Sequence, residues 1–339
     1  MRVTASPDQA ARAGLPLRLA TIALVAHAAL SVFSAYAFST FLAGPPPAWL
    51  QSPANQHVLL LGWRFGGPTC VVLGALAGLL HATGRLSARK ALGMFAVGFS
   101  ISLAAELTGT FTGYPFGPYS YTAQLGYRVL GLVPFNIPTS WFYMLYCSLA
   151  ICGRLLRPAA TADGSATRSA QSREKWKWAA VAAFVLTAWD VSMDPAMVRT
   201  THWLWHLKPA AEQSAFMRLF TGDLFYGMPL TNWLGWLLVG TLVARAMLAI
   251  VPPTEIAERV SPSRFPLLLY AVNGVLPIAI CASHGMGWAA ALGTVAMGLP
   301  LALAMRGKRA AGSAVATTTR SEGAVDSVRR PQQQLQIPR

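Results

Sequence analysis

Apolar residues in this chain neither alternate with polar ones, as in a half-buried strand, nor recur every third or fourth position, as on an amphipathic helix; they run together in blocks. Eight blocks stand out, at about 17–42, 57–81, 91–111, 132–156, 176–194, 229–251, 265–282 and 286–305. Each is roughly 20 residues long, enough for a helix to cross a hydrocarbon core about 30 Å thick while satisfying its own backbone polar groups. The pattern predicts an all-α, polytopic integral membrane protein with about eight transmembrane helices, or seven, forming one helical membrane domain over 17–305. Three polar stretches fall outside the blocks: an N-terminal segment over 1–16, an Ala/Thr/Ser/Arg link over 158–173 and a tail over 306–339 that ends "RRPQQQLQIPR". The link and the tail carry too little apolar surface to fold and are expected to be disordered.

Charge adds orientation. Only 12% of residues are charged against 54% hydrophobic, about half the charged fraction of a soluble domain. The net charge of +15 does not point to nucleic acid, because the basic residues sit in short clusters between apolar blocks rather than along one soluble face. Arg12 and Arg18, Arg85 to Lys90, Arg154 to Lys177, Arg259 and Arg264, and Arg306 to Arg309 all fall on one side of the blocks. The positive-inside rule then places both termini in the cytoplasm, in a multi-pass protein of a bacterial cytoplasmic membrane. Ala35-Tyr36-Ala37 resembles a signal cleavage site, but the apolar stretch continues to Leu42, longer than a signal core, so the first block is read as a span. The four cysteines, at 70, 147, 152 and 281, form no CxxC pair and read as small core residues.

Polar residues inside the blocks carry the chemistry. Glu106, Arg64, Asp190, Asp194 and Asn232 all fall towards the non-cytoplasmic end of their helices, at one expected depth. A charged group within a span costs at least roughly 2.5 kcal/mol and therefore faces a partner or a cavity. One reading has Arg64 neutralise an acid and lock two helices together. The other notes that three carboxylates meet one arginine, leaving an acid unpaired in an apolar setting where, protonated, it can donate its proton. Asp190 and Asp194 are four apart and share a helix face, although Pro195 makes Asp194 a candidate for a helix-end bond to backbone instead.

Aromatic residues crowd the same level: Tyr114, Phe116, Tyr119, Tyr121, Trp141, Trp189, Trp203, Trp205, Tyr226 and Trp236 among them. Such rings belong to any membrane interface, yet beside a desolvated acid their faces also stabilise a developing cation. His202 and His206 in "HWLWH" are four apart, a spacing that could bind a metal on one helix face, but they read first as an interfacial Trp/His segment. The six histidines are scattered, and no GxGxxG, Walker loop, CxxCH or GxSxG occurs. The two segments from Glu106 to "IPTSW" and from Asp190 to "MPLTNW" echo each other and suggest a parallel repeat, although proline at a helix start is common.

Taken in order, "ELTG" (106–109), "GYPFGPYSY" (113–121), "VPFNIPTSW" (133–141), "DVSMDP" (190–195), "WLW" (203–205) and "FYGMPLTNWLGW" (225–236) resemble the CruF-type carotenoid hydratases, over roughly residues 57–282. The resemblance implies addition of water across the terminal, 1,2-type double bond of an acyclic carotenoid end group to give a tertiary alcohol, with no cofactor and no metal. It implies as partners an acyclic or monocyclic carotenoid, water, membrane lipid and other enzymes of the pathway such as a glycosyltransferase. On that reading Glu106 or Asp190 donates the proton, the remaining carboxylates, Asp194 among them, orient the water, and Asn232 holds it. Arg64, Tyr114, Phe116, Tyr119, Trp141, Trp189, Tyr226, Asn232 and Trp236 would bind the substrate. A transporter or channel with an Arg64/Glu106/Asp190 path, and a non-catalytic carotenoid-binding protein, are the alternatives.

Overall fold

The computed structural model describes residues 7–45, 47–156, 158 and 167–326. In chain order the elements are α1 (Pro7–Ser39), α2 (Pro53–Arg85), α3 (Ala88–Thr112), β1 (Tyr119–Tyr121), β2 (Arg128–Val129), β3 (Val133–Pro134), α4 (Asn136–Leu155) and α5 (Arg168–Arg199). There follow β4 (Trp203–Trp205), α6 (Ala215–Thr221), α7 (Leu230–Ile250), the single turn α8 (Pro253–Glu255), α9 (Phe265–Ser283) and α10 (Gly287–Asp326). Most of the expected link, and the tail from 327, lie outside the described residues; 168–173 form the first turns of α5, and α10 continues past 306.

Among the described residues seven helices are long and apolar enough to cross a membrane: α1, α2, α3, α5, α7, α9 and α10. The remaining expected block, 132–156, which holds α4, falls outside that set for a physical reason. It is the central helix, packed against α2, α3, α5, α9 and α10, and every residue from Pro138 to Cys152 is buried. Facing protein on all sides, it has no need of a lipid-compatible surface and carries Trp141, Tyr143, Tyr146, Ser140 and Ser148 instead. The peripheral helices show the converse, with exposed Phe33, Leu60, Leu238 and Val295 on their outer faces.

Two loops close one end of the bundle, between α3 and α4 and between α5 and α7. Each contributes one strand to a two-stranded antiparallel sheet in which Tyr119 faces Trp205 and Tyr121 faces Trp203. Two glycines let this cap sit close. A Cβ at Gly109 of α3 would lie 2.9 Å from both the Phe116 ring and the Tyr119 hydroxyl, and one at Gly235 of α7 would lie 2.6 Å from Phe116 and 3.0 Å from the Pro115 carbonyl. The loop after α3 is therefore clamped between α3 and α7 rather than lying loose on the surface.

Candidate active site

Beneath that cap lies a cavity of about 410 Å³. Glu106, Asp190, Asp194 and Asn232 line it together with Phe116, Tyr119, Trp141, Trp189 and Trp236. Alternation along a strand puts Tyr119 and Tyr121 on the same face of β1, where both reach Glu106. The Tyr119 hydroxyl donates to Glu106 Oε2 at 2.5 Å and the Tyr121 hydroxyl donates to the same oxygen at 2.8 Å. Trp141 Nε1 donates to Glu106 Oε1 at 3.2 Å. Burial, reinforced by the adjacent Glu106, pushes both phenols well above the ordinary tyrosine range, so they remain donors.

The partner strand serves the second acid. Trp203 and Trp205 each donate an indole N–H to Asp194 Oδ1 at 3.1 Å. The helix runs on through Pro195 to Arg199, so Asp190 and Asp194 do share a face, and Asp194 is not tied to backbone. Asn232 of α7 bridges them: its Nδ2 donates to Asp190 Oδ2 and to Asp194 Oδ2, both at 2.8 Å. Five of the six oxygens of these three acids thus have a protein donor. The sixth, Asp190 Oδ1, is buried and has none.

Among the described residues no ion pair reaches these acids: those present are Lys90–Glu255 and Arg259–Glu255, both remote from the cavity. Arg64, the expected countercharge, lies exposed on α2 with its guanidinium 5.4 Å from the Phe65 ring and does not line the cavity. Counting along the helices puts it level with the acids, but its side chain is exposed and turned away from the cavity. Tyr114 and Tyr226 also stay outside. Tyr114 is 78% exposed, next to Gly113, whose left-handed φ of 82° ends α3 and throws the following side chain outwards. Tyr226 occupies the turn between Phe225 and Met228 at φ 52°, with its ring against Phe225. His202 and His206 flank an extended strand, which separates them by about 13 Å along its length instead of stacking them on a helix. His206 bonds Ser120 at 2.7 Å and His202 bonds Thr200 at 2.8 Å.

The rings form a continuous wall. Trp141 stacks on Trp236 with centroids 4.6 Å apart and planes at 21°, and Trp189 meets Trp236 edge to face at 6.1 Å. Tyr121, Trp203 and Trp205 were visible in the sequence only as members of an aromatic crowd; the strand pairing selects them as acid donors. Asn136, which also lines the cavity, carried no such signal.

Residues 66–300, which contain Glu106, Asp190, Asp194, Asn232 and the tyrosines and tryptophans that bond to the acids, match the family described as "Carotenoid biosynthesis protein". The chain belongs to that family. A bisanhydrobacterioruberin hydratase from Haloarcula japonica is 28% identical over 141 residues, a stretch that covers 42% of this chain and 39% of that relative. The match thus spans about two fifths of the relative's length. No solved structure matches. Family and apolar helices together make this carotenoid biosynthesis protein a multi-pass membrane protein.

Proposed function

We propose that this carotenoid biosynthesis protein is a hydratase that adds water across the terminal 1,2-type double bond of an acyclic carotenoid end group. The observation that carries the reading is the arrangement of three buried carboxylates, outside any ion pair of the described residues, against a wall of indole rings in one cavity. Two of those carboxylates share the single amide of Asn232. Like charges so placed do not both ionise, so the pair holds a proton between them, and Asp190 Oδ1 is the oxygen that no protein donor occupies. That oxygen is therefore assigned the proton.

Transfer from Asp190 Oδ1 to the less substituted alkene carbon forms a C–H bond from the π electrons and leaves a tertiary cation on the neighbouring carbon. The faces of Trp141, Trp189 and Trp236, which line the cavity, meet that charge, and each such contact is worth up to roughly 2 kcal/mol where water is excluded. Water then forms the C–O bond and gives up a proton to a carboxylate, from which Asp190 is recharged, so the net change is one water added. Glu106, held by Tyr119, Tyr121 and Trp141, supplies fixed negative charge beside the cation and accepts a proton at Oε1 or Oε2. None of these steps requires an oxidant or a metal.

The reading is tested by expressing the chain in a host that makes lycopene and weighing the pigments. Gain of one water per reacting end supports it, and loss of that gain in Asp190→Asn supports the acid's role. Unchanged pigments across several acyclic substrates would remove it. The name of the Haloarcula relative, a hydratase, adds weight from an independent direction.

A further inference from the structure

Water is a substrate of the proposed reaction, and the family resemblance implies that Asn232 holds it. The geometry does not leave Asn232 free for that task. Its Nδ2 is committed to Asp190 and Asp194 at 2.8 Å each and lies 2.9 Å from the Met228 sulfur. Asn232 is a clamp on the acid pair.

A second asparagine lines the same cavity. Asn136 is the first residue of α4 and is 1% exposed. Neither its Nδ2 nor its Oδ1 has a hydrogen-bond partner in the protein. A buried amide left without partners is costly, and buried amides in folded proteins are satisfied almost without exception. Ser140, one helical turn further along, shares this face and the cavity wall, while its own hydroxyl proton is taken by the Ile137 carbonyl at 2.8 Å, leaving an oxygen lone pair.

Besides Asp190 Oδ1, already assigned the proton, the cavity holds one further unpaired polar atom among the described residues, on His27. Its Nδ1 lies 2.8 Å from the Cys70 carbonyl and must donate to it, so Nε2 is left as an acceptor alone. Asn136 differs in offering a donor and an acceptor from one rigid group, which is the pair of contacts that orients a water molecule with a lone pair directed at an electrophile.

We propose that Asn136 is the positioning residue for the water that captures the carbocation. This rests on the hydratase reading and assigns the water within it. A cation that is formed but not captured has one other exit: a neighbouring C–H bond breaks, its electrons rebuild the alkene, and the proton returns to a carboxylate. In heavy water that return leaves deuterium on carbon, so protonation and capture can be counted separately.

Membranes containing the full chain are incubated with lycopene in heavy water, and the deuterium in recovered alkene is compared with the hydrated product. Asn136→Leu, close in volume, is expected to raise the ratio of exchange to hydration about ten-fold, the scale set by loss of a buried hydrogen-bonding partner. The ratio does not depend on how much protein accumulates. Should the leucine variant yield too little signal, Asn136→Ser is expected to move the ratio in the same direction by a smaller factor. Hydration by the unaltered protein with an unchanged ratio in the variants would overturn the assignment of Asn136 alone. Absence of hydration in the unaltered protein would instead overturn the hydratase reading, and the assignment with it.

Discussion

Tyr119 and Trp205 face each other across β1 and β4, and each donates a hydrogen bond to a different buried acid, Tyr119 to Glu106 and Trp205 to Asp194. One small sheet outside the bundle thereby fixes two carboxylates that belong to different helices. The same register gives Tyr121 and Trp203 the same two duties.

Removing a donor should weaken the site without emptying it. Tyr119→Phe is expected to lower hydration by roughly 10- to 100-fold, the range for a hydrogen bond to a charged acceptor, and Tyr121→Phe by a similar or smaller factor. Pigment analysis of matched cultures measures this. Activity equal to that of the unaltered chain in both variants would show that Glu106 plays no part.

Gly109 and Tyr119 should behave as a coupled pair. A methyl group at Gly109 would lie 2.9 Å from the Tyr119 hydroxyl and force it off Glu106. Gly109→Ala is therefore expected to cost about as much activity as Tyr119→Phe, and the double variant little more than either. Additive losses would mean that the alanine acts elsewhere.

Asp190→Asn removes the one acid proton with an unoccupied oxygen, and activity should fall by about 10² to 10⁴. Arg64 supplies the contrast. Because it faces away from the cavity, Arg64→Gln is expected to stay within a few-fold of the unaltered rate. A loss at Arg64 as deep as that at Asp190 would restore the ion-pair reading.

His202 predicts a pH dependence of stability. Burial lowers its pKa from 6.5 to about 4, so the folded chain holds it neutral where the unfolded chain would protonate it. Its contribution is complete above pH 6.5 and is lost as pH falls from there towards 4, on the order of 3 kcal/mol at full extent. The thermal midpoint in detergent should drop across that window, and His202→Gln should flatten part of the drop.

Hydrocarbon demands long unbroken apolar helices, and that demand is written residue by residue: seven of the eight apolar runs are helices long and apolar enough to cross. The level of the acids was legible only as a count, since each residue advances a helix by about 1.5 Å, and the structure brings Glu106, Asp190 and Asp194 to one cavity. Tertiary structure alone decided direction. Helices apolar on all sides do not show which face is inward, so Arg64, level with Glu106 in the count, could not be told from a site residue until packing turned it outwards. Packing likewise chose α4, the least lipid-like block, as the centre, where protein rather than lipid surrounds it. The pairing of β1 with β4 joins residues more than 80 positions apart through backbone bonds that any side chains could make. It therefore left no local trace, and it is this pairing that turned a crowd of interfacial rings into the donors of Glu106 and Asp194.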